Sequence, residues 1–321
     1  MPKSEEPEAS DSRVIFAFSF LVFVAVTKTL LTKTVFVHGT PPIAFSAFSC
    51  VVTGLCIAPV FFIKPSLYAS LTMEMMVGFL IVCLAIALDL ALTNMAISLL
   101  SVALQQCIKA TSPAATVLLE SMIDRVCHHP LKYLVVLLLC VGPILTNLGS
   151  TSYDSTPIGV IAMVIAVVAG AFKYVLAHAM IKNYKKSLGT LAFTFWVEIF
   201  VAVMLVPWAY LNGEAELLIF GADGNGVSMT DWALLSFTGA YGGVRIYSQF
   251  ALLEFTSATT LAASNVAIQA VTIIMGIYLF DTVVTPYLIA GVSTTIVVSA
   301  LYTWMSLNGS FKQADKSAPL V

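Results

Sequence analysis

Ten apolar stretches, each set off from the next by proline, glycine or charge, constrain this chain more than any other feature. They cover residues 14–36, 43–63, 72–93, 97–121, 130–147, 156–180, 189–211, 230–254, 258–279 and 286–306. A helix of about 20 residues crosses a hydrocarbon core of roughly 30 Å. No water reaches backbone amides there, so a spanning segment must satisfy its own hydrogen bonds, as a helix does. The expected fold is an all-α integral membrane protein with ten transmembrane helices. Of the 321 residues 59% are hydrophobic and 10% charged, which excludes an ordinary soluble globule. Pro130, Pro157 and Pro286 fall at the first turn of their stretches, where a missing N–H costs nothing.

Charge orients the spans. The tails and the loops after spans two, four, six and eight carry Lys3, Arg13, Lys64, Arg125, Lys132, Lys182, Lys185, Lys186, Lys312 and Lys316. The opposite loops carry Asp154, Glu214, Glu216, Asp223, Asp231 and Asp281, with no Lys or Arg. The positive-inside rule puts both termini in the cytoplasm. Residues 1–13 read as a disordered acidic tail without the apolar core of a cleavable signal, 14–306 as the membrane domain, and 307–321 as a second tail. A net charge of −2 argues against a nucleic-acid partner. The six cysteines form no CxxC pair and fall in or beside apolar spans, so no metal site, disulfide framework or cofactor is expected, and they read as small buried hydrophobes.

Five basic residues lie inside spans: Lys28, Lys33, Lys109, Lys173 and Arg245. Lys109 sits at the middle of the fourth span, with Gln105, Ser112, Pro113 and Thr116 at spacings of three, four or seven on the same helical face. A cation at mid-bilayer faces a bundle interior or a watery cavity, where it draws an anion. The plainer alternative is a lysine held by a buried acid for packing alone. Lys33 is close enough to its helix end to snorkel. Arg245 with Tyr241 and Tyr247 reads as a phosphate clamp flanked by stacking rings, with Gly239, Gly242 and Gly243 leaving room. Its alternative is small-residue packing with Arg245 paired to Glu198. Lys173 with Tyr174, and Lys28 with Thr32 one turn on, are further candidates.

Sliding the chain on itself by 156 residues lays 101–113 over 257–269 and makes Lys109 and Asn265 counterparts. Two five-span halves, 14–147 and 156–306, would insert in opposite orientations because five is odd. Such inverted repeats place a solute site near the midplane between the halves. Asn265, Gln269 and Thr272 then form a polar stripe on the ninth span, which either contacts solute or glues helices together.

The run Leu-Thr-Asn-Met-Ala-Ile-Ser (92–98), followed by Gln-Gln-Cys-Ile-Lys-Ala-Thr-Ser-Pro (105–113), resembles the triose-phosphate and nucleotide-sugar transporter families of the drug/metabolite transporter superfamily. Residues 250–261 and 279–291 carry the resemblance further, and it covers residues 14 to 306. It implies a ten-helix inverted-repeat carrier working by alternating access. Such a carrier exchanges an organic phosphate or nucleotide sugar for phosphate or a nucleotide monophosphate. It also implies that Thr93 and Lys109 match a Thr and a Lys that contact phosphate in the plastid triose-phosphate branch. That branch has a Lys-Arg pair where this chain has Ile268 and Gln269, and a His where it has Leu90. The Gly-Ala-Leu-Asn-Lys motif of the GDP-mannose branch has no match in the ninth span.

The reading is a secondary antiporter, not an enzyme, that moves a nucleotide sugar or another phosphorylated organic anion across a Golgi or ER membrane. The expected solute contacts are Lys109, Thr93, Gln105, Lys28, Lys173, Tyr174, Tyr241, Arg245, Tyr247, Asn265 and Gln269, with no metal. A triose-phosphate-type exchanger and a non-transporting membrane scaffold or sensor are the alternatives, and whether the chain forms a homodimer is left open. The His128–His129 pair reads as solvated loop, because a metal site needs three or four convergent ligands.

Overall fold

Each of the ten apolar stretches contains a helix in the computed structural model, which describes residues 11–112, 114, 115, 119, 130–149, 156–184, 188–220, 228–255, 258–280 and 284–307. Eleven α-helices and one short 3₁₀ turn are delimited among the described residues, which also include helical positions 112, 114, 115 and 119 and no strand. In chain order they are α1 (Asp11–Val37), α2 (Pro42–Ile63), α3 (Met73–Leu99), α4 (Val102–Lys109), α5 (Pro130–Gly149), α6 (Pro157–Tyr184), α7 (Thr190–Leu211), α8 (Glu214–Phe220), α9 (Met229–Phe255), α10 (Ala258–Leu279) and α11 (Pro286–Leu307). Five stretches are long and apolar enough to cross a bilayer: Ile15–Val37, Pro42–Ile63, Met73–Leu99, Pro157–Ala177 and Thr190–Leu211. Shorter apolar helices cover Tyr133–Leu148, Ile268–Leu279 and Pro286–Tyr302. The short α8 was not anticipated. Its Glu214 carboxylate accepts from the Ile43 and Ala44 amides at 2.7 and 3.0 Å, satisfying two free N–H groups at the start of α2.

The fourth span departs from expectation. Residues 97–99 belong to α3, and the chain then turns extended at Leu100 and Ser101 before α4 begins. Ser101 caps α4, its hydroxyl accepting from the Leu104 amide at 3.3 Å. Lys33 does not snorkel. Its ammonium donates to the carbonyls of Ile97 and Leu100, each at 2.8 Å, and so satisfies acceptors that the end of α3 leaves free. Lys109 therefore stands at the C-terminal end of an eight-residue helix rather than in the middle of a long one. Hydrogen bonding tightens after it, with the Thr111 amide donating to the Ile108 carbonyl. Pro113, Thr116, Glu120, Cys127, His128 and His129 lie outside the described residues.

Three pairs of helices start 156 residues apart: Met73 and Met229, Val102 and Ala258, Pro130 and Pro286. Helix α3 packs on α6, and α1 on α9; α2 packs on α7, α4 on α10 and α5 on α11. Each of these pairings joins the first half of the chain to the second. The α5–α11 pairing and the further contact of α9 with α2 need bare backbone. A Cβ on Gly291 would meet the Gly142 carbonyl at 2.7 Å, and one on Gly243 would meet the Thr53 hydroxyl at 2.7 Å. Small residues let helices approach this closely where apolar burial alone gives no preference for protein over lipid. Aromatic contacts knit the same interior, with Phe79 edge-on to Phe193 at 5.6 Å and Phe193 edge-on to Phe250 at 5.0 Å.

Polarity is turned inside out relative to a soluble protein. Phe16, Phe62, Val77, Leu137 and Ile161 face outward, while Lys28, Gln105, Glu198 and Gln249 are buried. That arrangement belongs to a multi-pass membrane protein.

Candidate functional site

Many of the buried polar side chains, including every buried charged one, converge on one cavity with about 880 Å³ of atom-free space, its mouth included. Helix α1 supplies Lys28 and Thr32, α3 supplies Asp89, Thr93 and Asn94, and α4 supplies Gln105 and Lys109. Helix α6 gives Lys173, α7 gives Glu198, and α9 gives Gly239, Gly242, Arg245 and Gln249. Four cations against two carboxylates leave the lining with a formal charge of +2 (4 − 2).

These cations are not equivalent. Lys173 is ion-paired to Asp89, and its ammonium lies 4.7 Å from the Tyr174 ring centroid. Asp89 also accepts from the Thr93 hydroxyl at 3.2 Å. Lys28 donates to the Thr32 hydroxyl at 2.6 Å and sits 4.9 Å from the Phe45 ring centroid. Lys109 has no ion pair or hydrogen bond among the described residues, and the alternative pairing of Arg245 with Glu198 is not made. Three cations thus face the cavity without a carboxylate at ion-pair distance, an expensive state that an anion or water would relieve.

Hydrogen-bonding capacity points the same way. Six buried side-chain polar atoms among the described residues lack a partner, and four line this cavity: Ser49 Oγ, Gln105 Nε2, Glu198 Oε1 and Arg245 Nε. Buried polar groups are otherwise almost always satisfied. Gly242 sits against Lys28, where a Cβ would come within 3.1 Å of Lys28 Cε, so a larger side chain would displace the ammonium.

A second chamber of about 340 Å³ adjoins the first and shares Lys109 and Asp89 with it. Tyr174, Asn265, Gln269 and Ser112 line it, so Lys109 stands between the two spaces. Thr272 does not join this lining; it is fully buried, and its hydroxyl donates to the Ile268 carbonyl at 2.6 Å.

Of the residues expected from sequence, Lys28, Thr93, Gln105, Lys109, Lys173 and Arg245 meet in the main cavity, and Tyr174, Asn265 and Gln269 in its neighbour. Tyr241 and Tyr247 do not. Tyr241 stacks on Phe237 at 5.9 Å, and Tyr247 is 41% exposed on the outer side of α9. The inward stripe of α9 is Gly239, Gly242, Ile246 and Gln249, at spacings of three and four, and the two tyrosines fall beside it. Asp89, Asn94, Glu198 and Gln249 were missed as site residues. A signal existed for Asp89, since it shares a helical face with Thr93 four residues on.

A helical membrane protein with a cation-lined cavity between helices of the first and second parts of the chain is the class that fold and site define. The model of the triose-phosphate transporter family matches residues 12–303, and the chain belongs to that family, within the drug/metabolite transporter superfamily. It is therefore a solute transporter of the kind that handles phosphorylated sugars or related compounds. No curated protein matches it. A solved crystal structure superposes with a TM-score of 0.62 over 93% of this chain and 99% of its own, at 12% identity, which speaks for the fold alone.

Proposed function

We propose that this chain is a secondary antiporter that exchanges a compact phosphorylated sugar for phosphate by alternating access. The observation that carries the reading is Lys109, unpaired and set between two polar chambers, with Lys28 and Arg245 facing the same space. Charge-assisted bonds from lysine and arginine suit phosphate oxygens. The nucleotide-sugar reading loses its two stacking rings, because Tyr241 and Tyr247 lie off the cavity, and a solute without a base fits the lining better. The ten-span, five-plus-five inverted repeat is supported by the common 156-residue spacing of three helix starts and by pairings that join the halves. In this reading the halves rock about the site, which lies between them. The charge asymmetry of the loops supports cytoplasmic termini, and the reading places the chain in an endomembrane such as Golgi or ER.

Purified protein tests this in a thermal-unfolding titration. Sugar phosphate and inorganic phosphate each raise the unfolding midpoint, by as much as about 2.7 kcal/mol of apparent stability at a hundredfold excess over Kd, while the neutral parent sugar does not. Equal stabilisation by the neutral sugar would remove the anion from the reading. Stronger stabilisation by a nucleotide sugar than by any sugar phosphate would return the solute to that class.

A further inference from the structure

Glu198 has no task in the anion-carrier reading. It lies in α7, 2% exposed, lines the main cavity and leaves Oε1 without a partner. Its charged neighbour is Lys28, with the Cys50 thiol beside it. The charged neighbours of Lys109 are instead Arg245, Asp89 and Lys173. The cavity therefore has two ends. Lys109 and Arg245 form the cationic one, Glu198 with the Cys50 thiol the other, and Lys28, which feels Arg245, Lys109 and Glu198, lies between them; Ser49, next to Cys50 in α2, lines the same cavity against Gly239. At 7% exposure Ser49 also keeps its hydroxyl unpartnered.

An ionised carboxylate only accepts hydrogen bonds, so a solute group that satisfies it must bring a donor. It also repels a second anionic group brought to the same end. Resting on the anion-carrier reading, we infer that Glu198, with Ser49, determines specificity: it reads the hydroxyl-bearing end of a sugar phosphate whose phosphate lies at Lys109 and Arg245. The site thereby selects polyhydroxylated phosphate monoesters and rejects solutes that carry a carboxylate or second phosphate at the far end. A residue retained only to balance Lys28 would not discriminate between such solutes.

Matched pairs of solutes test this on the full chain in phosphate-loaded proteoliposomes. Glycerol 3-phosphate against 3-phosphoglycerate, and glucose 6-phosphate against 6-phosphogluconate, each exchange a neutral hydroxylated end for a carboxylate on the same carbon skeleton. Wild-type protein takes up the hydroxylated member of at least one pair with roughly tenfold or greater preference in kcat/KM, the size expected for one charge-assisted hydrogen bond. Glu198→Gln brings that ratio to within about twofold of one, each variant being normalised to its own phosphate exchange, and Glu198→Asp keeps most of the preference. Ser49→Ala lowers uptake of the hydroxylated member more than that of its carboxylate partner, which keeps the test decisive if Glu198→Gln fails to fold. No preference in the wild type, uptake of neither hydroxylated member, or an unmoved ratio in Glu198→Gln would overturn the inference. Absence of phosphate exchange in the wild type would instead overturn the anion-carrier reading beneath it.

Discussion

Lys109→Ala abolishes exchange of a phosphate-bearing solute, by at least about a hundredfold in kcat/KM, and leaves the thermal midpoint equal to or above that of wild type. The two halves of this result have one cause. Lys109 has no ion-pair partner among the described residues, so its charge costs the empty protein desolvation energy and is offset only when an anion or water meets it. Removing the charge takes away a charge-assisted contact worth about 1.5–3 kcal/mol to the bound phosphate and also the focus of the surrounding field. The same substitution relieves the unliganded fold. Lys109→Arg keeps the charge but changes its shape and reach, and it retains a measurable part of the flux. Uptake and unfolding measured on the same preparation separate this behaviour from a folding defect.

Asp89→Asn shows the opposite pattern. Asp89 neutralises Lys173 and accepts from Thr93, and Lys109 and Arg245 are also among its charged neighbours. Taking its charge away leaves several buried cations facing one another, and orphaning one partner of a buried pair costs about 3–5 kcal/mol. The thermal midpoint falls sharply. Asp89→Asn combined with Lys173→Met removes both charges and recovers most of the loss, because an apolar replacement for a buried pair is close to neutral. A double variant no more stable than Asp89→Asn alone would show that Asp89 holds the fold through something other than Lys173.

The contrast between these two sites explains what the sequence could and could not disclose. A lysine in an apolar stretch announces itself, because hydrocarbon makes it expensive wherever it points, and Lys28, Lys109, Lys173 and Arg245 were legible on that ground. Which cation is paired is a question of distance across the bundle. Asp89 and Lys173 are 84 residues apart, and nothing local links them. Rotation of α9 was also hidden: Tyr241, Arg245 and Tyr247 share a helix, but only its neighbours decide that Gly239, Gly242 and Gln249 face inward. The break at Leu100 and Ser101 left a fainter trace, a serine placed just before an apolar run, which hydropathy averaged over a long window smooths away. The fate of Lys33 depended on that break, since free carbonyls exist for it only where α3 ends.

Counterexchange in proteoliposomes tests the anion-carrier account most directly. The account predicts that vesicles loaded with inorganic phosphate take up labelled sugar phosphate, while empty vesicles do not, and that one phosphate leaves for each sugar phosphate entering. Uptake that is indifferent to internal anion, or equal for the neutral parent sugar, would contradict it.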